Sequence, residues 1–291
     1  MRSGSKNGIL LVAISAAAFG VMPIFAKIAY ADGSSVYTLL FLRFFVGAVF
    51  MMALMFIRKM KMPTGREIAA FLLLGLIGYT GQSFCYFSAL NYTTSATVSL
   101  LLYTYPALVT IGSVLFFKEK LTASKIISLL MALAGAFIIV GGEFKADLVG
   151  IALALAAAFF YTAYILVSSV VVKEGMGVQS SAFIMTGAAV SFGIMNIFMG
   201  FEAPSSATGC LSVVAIALLC TVLALWSFFT GMEKTGPSTA SLVSTLEPIV
   251  TVAASAIVLS EPITAGTIVG GVMILAALLI TMVKKENGQK Q

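Results

Sequence analysis

The sequence predicts an all-α integral membrane protein, built as two inverted repeats of five transmembrane helices. Three observations predict this fold class: the composition, the spacing of apolar runs and an internal repeat. Hydrophobic residues make up 60% of the 291 residues and charged residues only 10%, whereas about 25% of the residues in a soluble domain are charged. Because a chain this apolar cannot cover its own surface with polar groups in water, we expect it to lie in a bilayer.

Ten apolar runs, divided by glycines, prolines and charges, approach the length of about 20 residues that crosses a bilayer. Together with short connectors they use the whole chain, which leaves no room for a separate soluble domain. The first run exceeds the roughly 7–15 apolar residues of a signal peptide, so we expect an uncleaved helix. We number these predicted helices 1 to 10: Gly8–Tyr30, Ser35–Ile57, Glu67–Leu90, Thr93–Phe117, Ser124–Gly141, Leu148–Val172, Val178–Gly200, Gly209–Thr230, Pro237–Leu259 and Thr264–Val283.

A shift of 142 residues aligns the two halves of the chain without a gap. Each half holds five helices, an odd number, so the second copy must enter the membrane from the opposite side. Many secondary transporters use such inverted repeats for alternating access around a midplane site. We therefore divide the chain into a first repeat, 1–142, and a second, 143–291. Matching positions include Pro106 with Pro248, Glu119 with Glu261, Phe87 with Phe229 and Thr97 with Thr239.

The net charge of +6 is a topology signal, and it predicts no nucleic-acid partner. With a cytoplasmic N-terminus, fourteen cations lie in inner segments and only Lys145 lies outside. The positive-inside rule then places both termini in the cytoplasm, in a multi-pass protein of the cell (inner) membrane. The fourteen are Arg2, Lys6, Arg58, Lys59, Lys61, Arg66, Lys118, Lys120, Lys125, Lys173, Lys234, Lys284, Lys285 and Lys290.

Neither a cofactor nor a catalytic or metal-binding residue is expected. The chain has no histidine, and we find no P-loop, HExxH or GxSxG motif, which disfavours ATP-driven pumping and common hydrolytic chemistry. Cys85, Cys210 and Cys220 have no metal-ligand spacing, and we assign them to packing, since free cysteine behaves as a small hydrophobe.

Three sequence runs carry a resemblance to a known family. They are Leu42–Phe44 in helix 2, Lys118–Thr122 after Pro106 in helix 4, and Leu246–Val250 followed by Leu259–Thr264 in the second half. On these runs the whole chain resembles the drug/metabolite transporter superfamily, in its ten-helix EamA-type branch. The resemblance implies a basket of ten helices, with helices 1, 3, 4, 6, 8 and 9 near a central cavity and helices 5 and 10 away from it. It also implies a substrate among amino acids, other metabolites and cationic drugs.

Three charges fall within helices, where they are functional candidates by default. Lys27 lies near the end of helix 1, so we expect it to snorkel to the lipid headgroups. Arg43 and Glu247 lie about 12 Å and about 15 Å deep by helical rise, so the two could pair. Their repeat mates are Met185 and Tyr105. Glu247 would bind the substrate or a proton, and Arg43 would take a direct part in the same site. The alternatives are that the two form a structural ion pair or cap backbone carbonyls freed near the broken helix.

Proline and small polar residues predict a cavity lining in helices 4 and 9. Pro106 and Pro248 each remove one helical hydrogen bond, and such a break is tolerated where it meets protein or a cavity. The alternative is helix–helix packing by small residues. The polar residues on these faces are Ser95, Ser99, Tyr103, Ser241 and Thr245.

Aromatic residues form stripes on helices 3 and 6, and the single tryptophan lies deep in helix 8. An aromatic cavity with one carboxylate would suit aromatic or cationic amphiphiles through stacking and cation–π contacts; the alternative is ordinary core packing. These residues are Tyr79, Gln82 and Tyr86 on helix 3, Tyr161, Tyr164 and Ser168 on helix 6, and Trp226. Small residues recurring every fourth position in helices 5 and 10 predict close packing within the chain, or a homodimer in place of a monomer.

These observations predict a secondary transporter that exports small organic metabolites or drugs, such as amino acids, amines or related amphiphiles. Transport would proceed through the central cavity by alternating access, and Glu247 is the best candidate to carry a proton or another coupling ion. The expected partners are a small-molecule substrate and membrane lipids. The alternatives are a non-transporting membrane sensor or assembly partner, and a membrane-embedded lipid-modifying enzyme.

Overall fold

A computed structural model of the chain describes residues 3–118, 123–142, 147–173, 175–235, 243–244 and 246–288, and within these ranges no strand is present. We label the helices α1 to α10 after predicted helices 1 to 10, and several consist of more than one segment. They are α1 (Ser3–Gly20 and Met22–Ala31), α2 (Val36–Ile57), α3 (Gly65–Leu73, Leu74–Tyr79 and Thr80–Ala89), α4 (Ser95–Leu102 and Tyr105–Phe117), α5 (Ala123–Gly142), α6 (Leu148–Val171), α7 (Gly177–Met199), α8 (Ala207–Ala217, Leu218–Leu223 and Ala224–Thr235), α9 (Leu246–Val258) and α10 (Ala265–Gly288).

The outer face of this helical assembly is apolar. Seven helices within the described residues are long and apolar enough to cross a membrane, and three shorter apolar helices lie at 129–139, 246–258 and 265–277. Large apolar side chains point away from the core, and Phe137, Phe198 and Ile257 are 79%, 80% and 81% exposed. Since a soluble protein does not expose so continuous an apolar surface, the chain is a multi-pass membrane protein, as its composition predicts.

Two helices contain a π-helical segment, which the sequence did not predict. Leu74–Tyr79 interrupts α3, and Leu218–Leu223 interrupts α8 close to the place that corresponds to it under the 142-residue shift of the sequence. In each, a threonine hydroxyl donates to the carbonyl five residues earlier, Thr80 to Gly75 at 2.8 Å and Thr221 to Ile216 at 2.9 Å. A π segment turns the following residues to a new face, and such segments are frequent at functional sites.

Helix 4 is interrupted just before Pro106, as the proline predicts. The first segment of α4 ends at Leu102 and the second begins at Tyr105. Helix 1 has a comparable interruption between Gly20 and Met22, followed by Pro23. Both interruptions leave backbone groups in the interior of the membrane protein, where side chains of neighbouring helices can bond to them.

The close packing predicted for helices 5 and 10 occurs within one chain. A Cβ atom on Gly135 of α5 would lie 2.6 Å from the carbonyl oxygen of Gly270 in α10, and a Cβ atom on Gly270 would meet the Gly135 carbonyl in turn. Only glycine permits two backbones to approach this closely. The small residues of this pair therefore pack two helices of the same molecule.

Hydrogen bonds join the segment between α1 and α2 to the segment between α7 and α8, and α2 to α7. The backbone N–H of Ser35 donates to the Glu202 carbonyl at 3.2 Å, and Thr38 donates to Asn196 at 2.7 Å. The Ser206 N–H donates to the Asp32 carboxylate at 2.7 Å and holds the pKa of that carboxyl below its usual value. These bonds fix the end of the molecule where α1 and α7 finish and where α2 and α8 begin.

The three cysteines are free thiols, and two of them fit the packing role expected for them. Cys85 and Cys220 are buried, whereas Cys210 is exposed, so the expectation of a packed thiol is wrong for Cys210. Its sulfur lies 3.3 Å from the carbonyl oxygen of Pro204. Residue 210 stands near the beginning of α8.

Candidate functional site

Three tyrosines from two helices line a cavity of about 100 Å³ inside the helical assembly. The rings of Tyr79 and Tyr164 stack with centroids 5.4 Å apart, and the rings of Tyr161 and Tyr164 stack nearly parallel at 6.0 Å. Tyr79 is the last residue of the π segment in α3, which directs its ring towards α6. We call this space the tyrosine cavity; its lining is Tyr79, Tyr161, Tyr164, Ser181, Ile184, Met185 and Leu225.

Helix 7 contributes three residues of the lining, Ser181, Ile184 and Met185, and none of them was among the predicted site residues. The resemblance placed helices 1, 3, 4, 6, 8 and 9 around the cavity, but the described lining comes from helices 3, 6, 7 and 8. Helix 7 has no stripe of aromatic or charged residues that would predict a cavity-lining face. One available signal was the repeat, since Met185 is the mate of Arg43.

Glu247 lies in the first turn of α9, where α9 crosses the interruption of α1. A Cβ atom on Gly20 would lie 2.8 Å from the Glu247 carbonyl oxygen, so glycine is needed for this approach. The Thr251 hydroxyl, 2.8 Å from the Gly20 carbonyl and 3.1 Å from the Glu247 carbonyl, holds the two helices together. The backbone that carries Glu247 is therefore fixed by α1.

The Glu247 carboxylate accepts a hydrogen bond from Tyr103, which stands in the interruption of α4. It also lies within electrostatic reach of Tyr105 and Tyr161. The rings of Tyr105 and Tyr161 meet edge to face with centroids 4.6 Å apart. Because Tyr161 lines the tyrosine cavity, Glu247 is connected to that cavity through aromatic rings.

Arg43 is only 5% exposed, and its guanidinium lies between two aromatic rings. The guanidinium carbon is 4.9 Å from the centroid of Phe44 and 5.3 Å from that of Phe87. Within the described part of the chain, its Nε has no hydrogen-bond partner. The Arg43 charge acts on Glu247 through space, but the ion pairs among described residues are Lys27–Glu261 and Lys173–Glu67. The direct pairing of Arg43 with Glu247 considered from sequence is therefore not found.

Some of the remaining predicted site residues are buried, and others lie away from the tyrosine cavity or outside the described residues. Tyr86, Ser99 and Gln82 are 4%, 1% and 9% exposed, and Tyr86 is hydrogen-bonded to Ser99. Trp226 is 40% exposed and absent from the lining described above, so the structure does not bring it to the tyrosine cavity. Pro248 is buried in the first turn of α9, and Pro106 follows the interruption of α4. Ser241 and Thr245 lie outside the described residues.

Lys27 does not snorkel to the headgroups, and that expectation is wrong. Its ammonium donates to the Glu261 carboxylate at 2.8 Å and to the Thr93 carbonyl at 2.7 Å. The Lys27 and Glu261 side chains are 23% and 10% exposed. Glu261 also accepts bonds from the backbone N–H and the hydroxyl of Ser95 at 2.8 and 3.2 Å. We call these four residues the Lys27–Glu261 cluster; it joins α1, the start of α4 and the segment between α9 and α10.

Comparison with known proteins agrees with this architecture. The model of the EamA-like transporter family matches residues 6–141 and, a second time, residues 148–283. An uncharacterized transporter of Haemophilus influenzae is 25% identical over 267 residues, covering 87% of this chain and 84% of the relative. The uncharacterized transporter YdfC of Bacillus subtilis is 24% identical, covering 85% and 82%.

A relative from Clostridium kluyveri, also an uncharacterized transporter, aligns at 21% identity over 98% of this chain and 97% of its own. A crystal structure superposes with a TM-score of 0.67 at 17% identity, over 97% of this chain and 98% of the other, which shows a shared fold. The helices and the matches define a membrane transporter rather than an enzyme. The chain belongs to the EamA-like transporter family, within the drug/metabolite transporter superfamily.

Proposed function

We propose that the protein exports small organic molecules, such as amino acids, amines or related amphiphiles, through the tyrosine cavity by alternating access. In this proposal the ten helices form two inverted five-helix repeats. The protein lies in the inner membrane of the cell, and both of its termini are in the cytoplasm. One observation supports the substrate class: the Glu247 carboxylate lies within electrostatic reach of Tyr161, one of the three tyrosines that line the cavity.

A carboxylate beside aromatic rings favours a ligand with a positive charge. Tyrosine faces attract cations within about 6 Å of the ring centroid, and a charge inside a transmembrane bundle marks a substrate or ion pathway by default. Tyr79, Tyr161 and Tyr164 offer the faces, and Glu247 offers the counter-charge. An amine would therefore gain a desolvated ion pair and cation–π contacts in the same place. Glu247 could carry a proton when no amine is bound, which would couple transport to a proton gradient.

The Lys27–Glu261 cluster supports alternating access. It ties α1 to the start of α4 and to the segment after α9, at the end of the molecule that the charge distribution places outside. The tyrosine cavity includes Ser181, near the beginning of α7, and that helix begins at the opposite end. A cavity nearer one end and an ion-paired cluster closing the other is the arrangement expected of a transporter open towards one side.

A thermal-shift screen of the detergent-purified protein tests this function. The panel holds amino acids, primary and quaternary amines, sugars, nucleosides and carboxylates. A ligand present at 100 times its dissociation constant adds about 2.7 kcal/mol of stability, so we expect several amine-bearing members to raise Tm. Sugars and nucleosides are the controls and should leave Tm unchanged. If stabilisation came only from sugars, nucleosides or simple carboxylates, the proposed substrate class would be wrong.

A further inference from the structure

Two kinds of side chain line the tyrosine cavity. Tyrosine rings from α3 and α6 form one part of the lining, and three apolar side chains from α7 and α8, Ile184, Met185 and Leu225, form another. In the function proposed above, the tyrosine faces meet the charged group of an amine. The apolar side chains are then left to contact its uncharged part, so the room beside them decides which uncharged groups fit.

The tyrosine cavity is small for an aromatic ligand. An apolar cavity of roughly 150 Å³ in a protein interior holds one benzene molecule, whereas the tyrosine cavity measures about 100 Å³. Protein interiors are close-packed, so an excess of even one methylene group is felt by its surroundings. A branched alkyl group therefore suits this volume better than a phenyl ring, unless part of the wall moves.

Met185 packs behind the cavity against a glycine of α2. A Cβ atom on Gly47 would lie 2.9 Å from the Met185 Sδ and 2.9 Å from Cγ2 of Thr221 in α8. The thioether thus occupies space that a side chain at residue 47 would otherwise fill. Only a residue without a Cβ atom leaves this room, so Gly47 allows part of the Met185 side chain to lie outside the cavity.

Met185 is also the part of this wall that can adapt. The backbone of Ile184 packs against Gly75 of α3, which fixes α7 beside the cavity. The Thr221 hydroxyl is held 2.9 Å from the Ile216 carbonyl oxygen, so this residue is fixed as well. Methionine is unbranched and has three rotatable bonds, whereas isoleucine is stiff at χ1. A change in the volume of the cavity at this wall therefore comes from Met185.

We propose that Met185 is a specificity-determining residue, which limits the uncharged part of the ligand to groups smaller than a phenyl ring. Gly47 contributes, because it leaves the space that keeps the thioether from filling the cavity. The inference rests on the proposed function and deepens it, since it concerns the size of the transported molecule and not its charge. A size limit of this kind opposes the hydrophobic effect, which favours the group with the larger apolar surface.

Isothermal titration of the purified full-length protein tests the limit with isopentylamine and phenethylamine. Both are ethylamines, the first carrying an isopropyl group and the second a phenyl group. We expect wild-type protein to bind isopentylamine at least about tenfold more tightly, the discrimination that one excess methylene group causes in an apolar pocket. Met185→Ala removes Cγ, Sδ and Cε, so it should bring the ratio of the two affinities to one or below.

Gly47→Ala should change this ratio in the opposite direction. The new Cβ atom would lie 2.9 Å from the Met185 Sδ and push the thioether into the cavity, so the preference for isopentylamine should rise above its wild-type value. Met51→Ala is the matched control. Met51 is 0% exposed and lies about one turn after Gly47 in α2, but it is absent from the lining of the cavity, so its truncation should leave the ratio unchanged.

Met185→Leu keeps the test valid should the alanine variant not fold, because cores tolerate the exchange of methionine for leucine. Leucine ends at its Cδ atoms and has no counterpart of Cε, so the ratio should fall, though by less than in Met185→Ala. A wild-type ratio of one or below, or a ratio that no folded Met185 variant lowers, would overturn the inference. So would an equal fall in Met51→Ala, which would indicate a general loosening of the core.

The same titrations separate failure of this inference from failure of the proposed function. If both amines bound and phenethylamine bound as tightly as isopentylamine, the amine transporter would stand and only the size limit would be removed. If neither amine and no member of the thermal-shift panel bound, both would be contradicted.

Discussion

Glu247→Gln is expected to weaken the binding of an amine ligand by about 100-fold, the largest loss that any single conservative change should cause. Removing one partner of a desolvated charge pair costs roughly 2–5 kcal/mol, and about 2.7 kcal/mol corresponds to a factor of 100. Glutamine keeps the size of the side chain and an oxygen that can accept from Tyr103. The loss should therefore appear in the dissociation constant, measured by titration, with little change in the Tm of the ligand-free protein.

Glu202→Gln provides the matched control for this prediction. Glu202 is exposed in the segment between α7 and α8, so the same removal of one carboxylate should leave amine affinity within about twofold of wild type, since surface changes away from a site have small effects. Equal losses in the two variants would point to net charge rather than to a binding site. Unchanged affinity in Glu247→Gln would remove Glu247 from the site.

Breaking the Lys27–Glu261 cluster should cause the largest loss of stability among charge-removing variants. Lys27→Met and Glu261→Gln should each lower the free energy of unfolding by about 3 kcal/mol, because each leaves a largely buried charge without its partner. The double variant should lose clearly less than the sum, since both changes remove one interaction. For a chain of this size the single variants should lower Tm by roughly 6–12 °C, measured by thermal unfolding in detergent.

The second ion pair of the described chain is a control for the first. Lys173 and Glu67 pair at 2.6 Å, but the Lys173 side chain is 73% exposed, and exposed pairs contribute roughly 0–1 kcal/mol. Lys173→Met should therefore lower Tm by no more than about 2–3 °C.

For the Lys27–Glu261 cluster, strictly additive losses of stability in the Lys27→Met, Glu261→Gln double variant would show that the two residues do not act together.

The sequence was sufficient for the features that depend on local pattern. The composition predicted that the protein lies in a bilayer, because a chain with 60% hydrophobic residues has too few polar groups to cover its surface in water. The spacing of Tyr161 and Tyr164 placed both on one face of helix 6, and both line the cavity. Pro106 predicted the interruption of helix 4. The composition is a property of the whole chain, and the other two features follow from residues within about one or two turns of one another.

The features that were missed depend on contacts between distant residues. Lys27 and Glu261 are 234 residues apart, so helix depth alone suggested a headgroup contact for Lys27. The π segment of α3 has no proline or other marker, yet it decides where Tyr79 points. Trp226 was favoured because it lies deep in helix 8, but depth does not specify which face of a helix meets the cavity. Tertiary packing decides all three.

Solute counterflow in sealed proteoliposomes tests the central claim, that this chain moves an amine-bearing molecule through the membrane, more directly than any binding experiment. Vesicles are loaded with an excess of the best ligand of the thermal-shift panel and diluted into a trace of the same labelled ligand. We predict a transient accumulation of label in wild-type vesicles that falls to the protein-free level with Glu247→Gln and persists with Glu202→Gln. Accumulation no greater than in protein-free vesicles, for a ligand that binds the purified protein, would contradict the account.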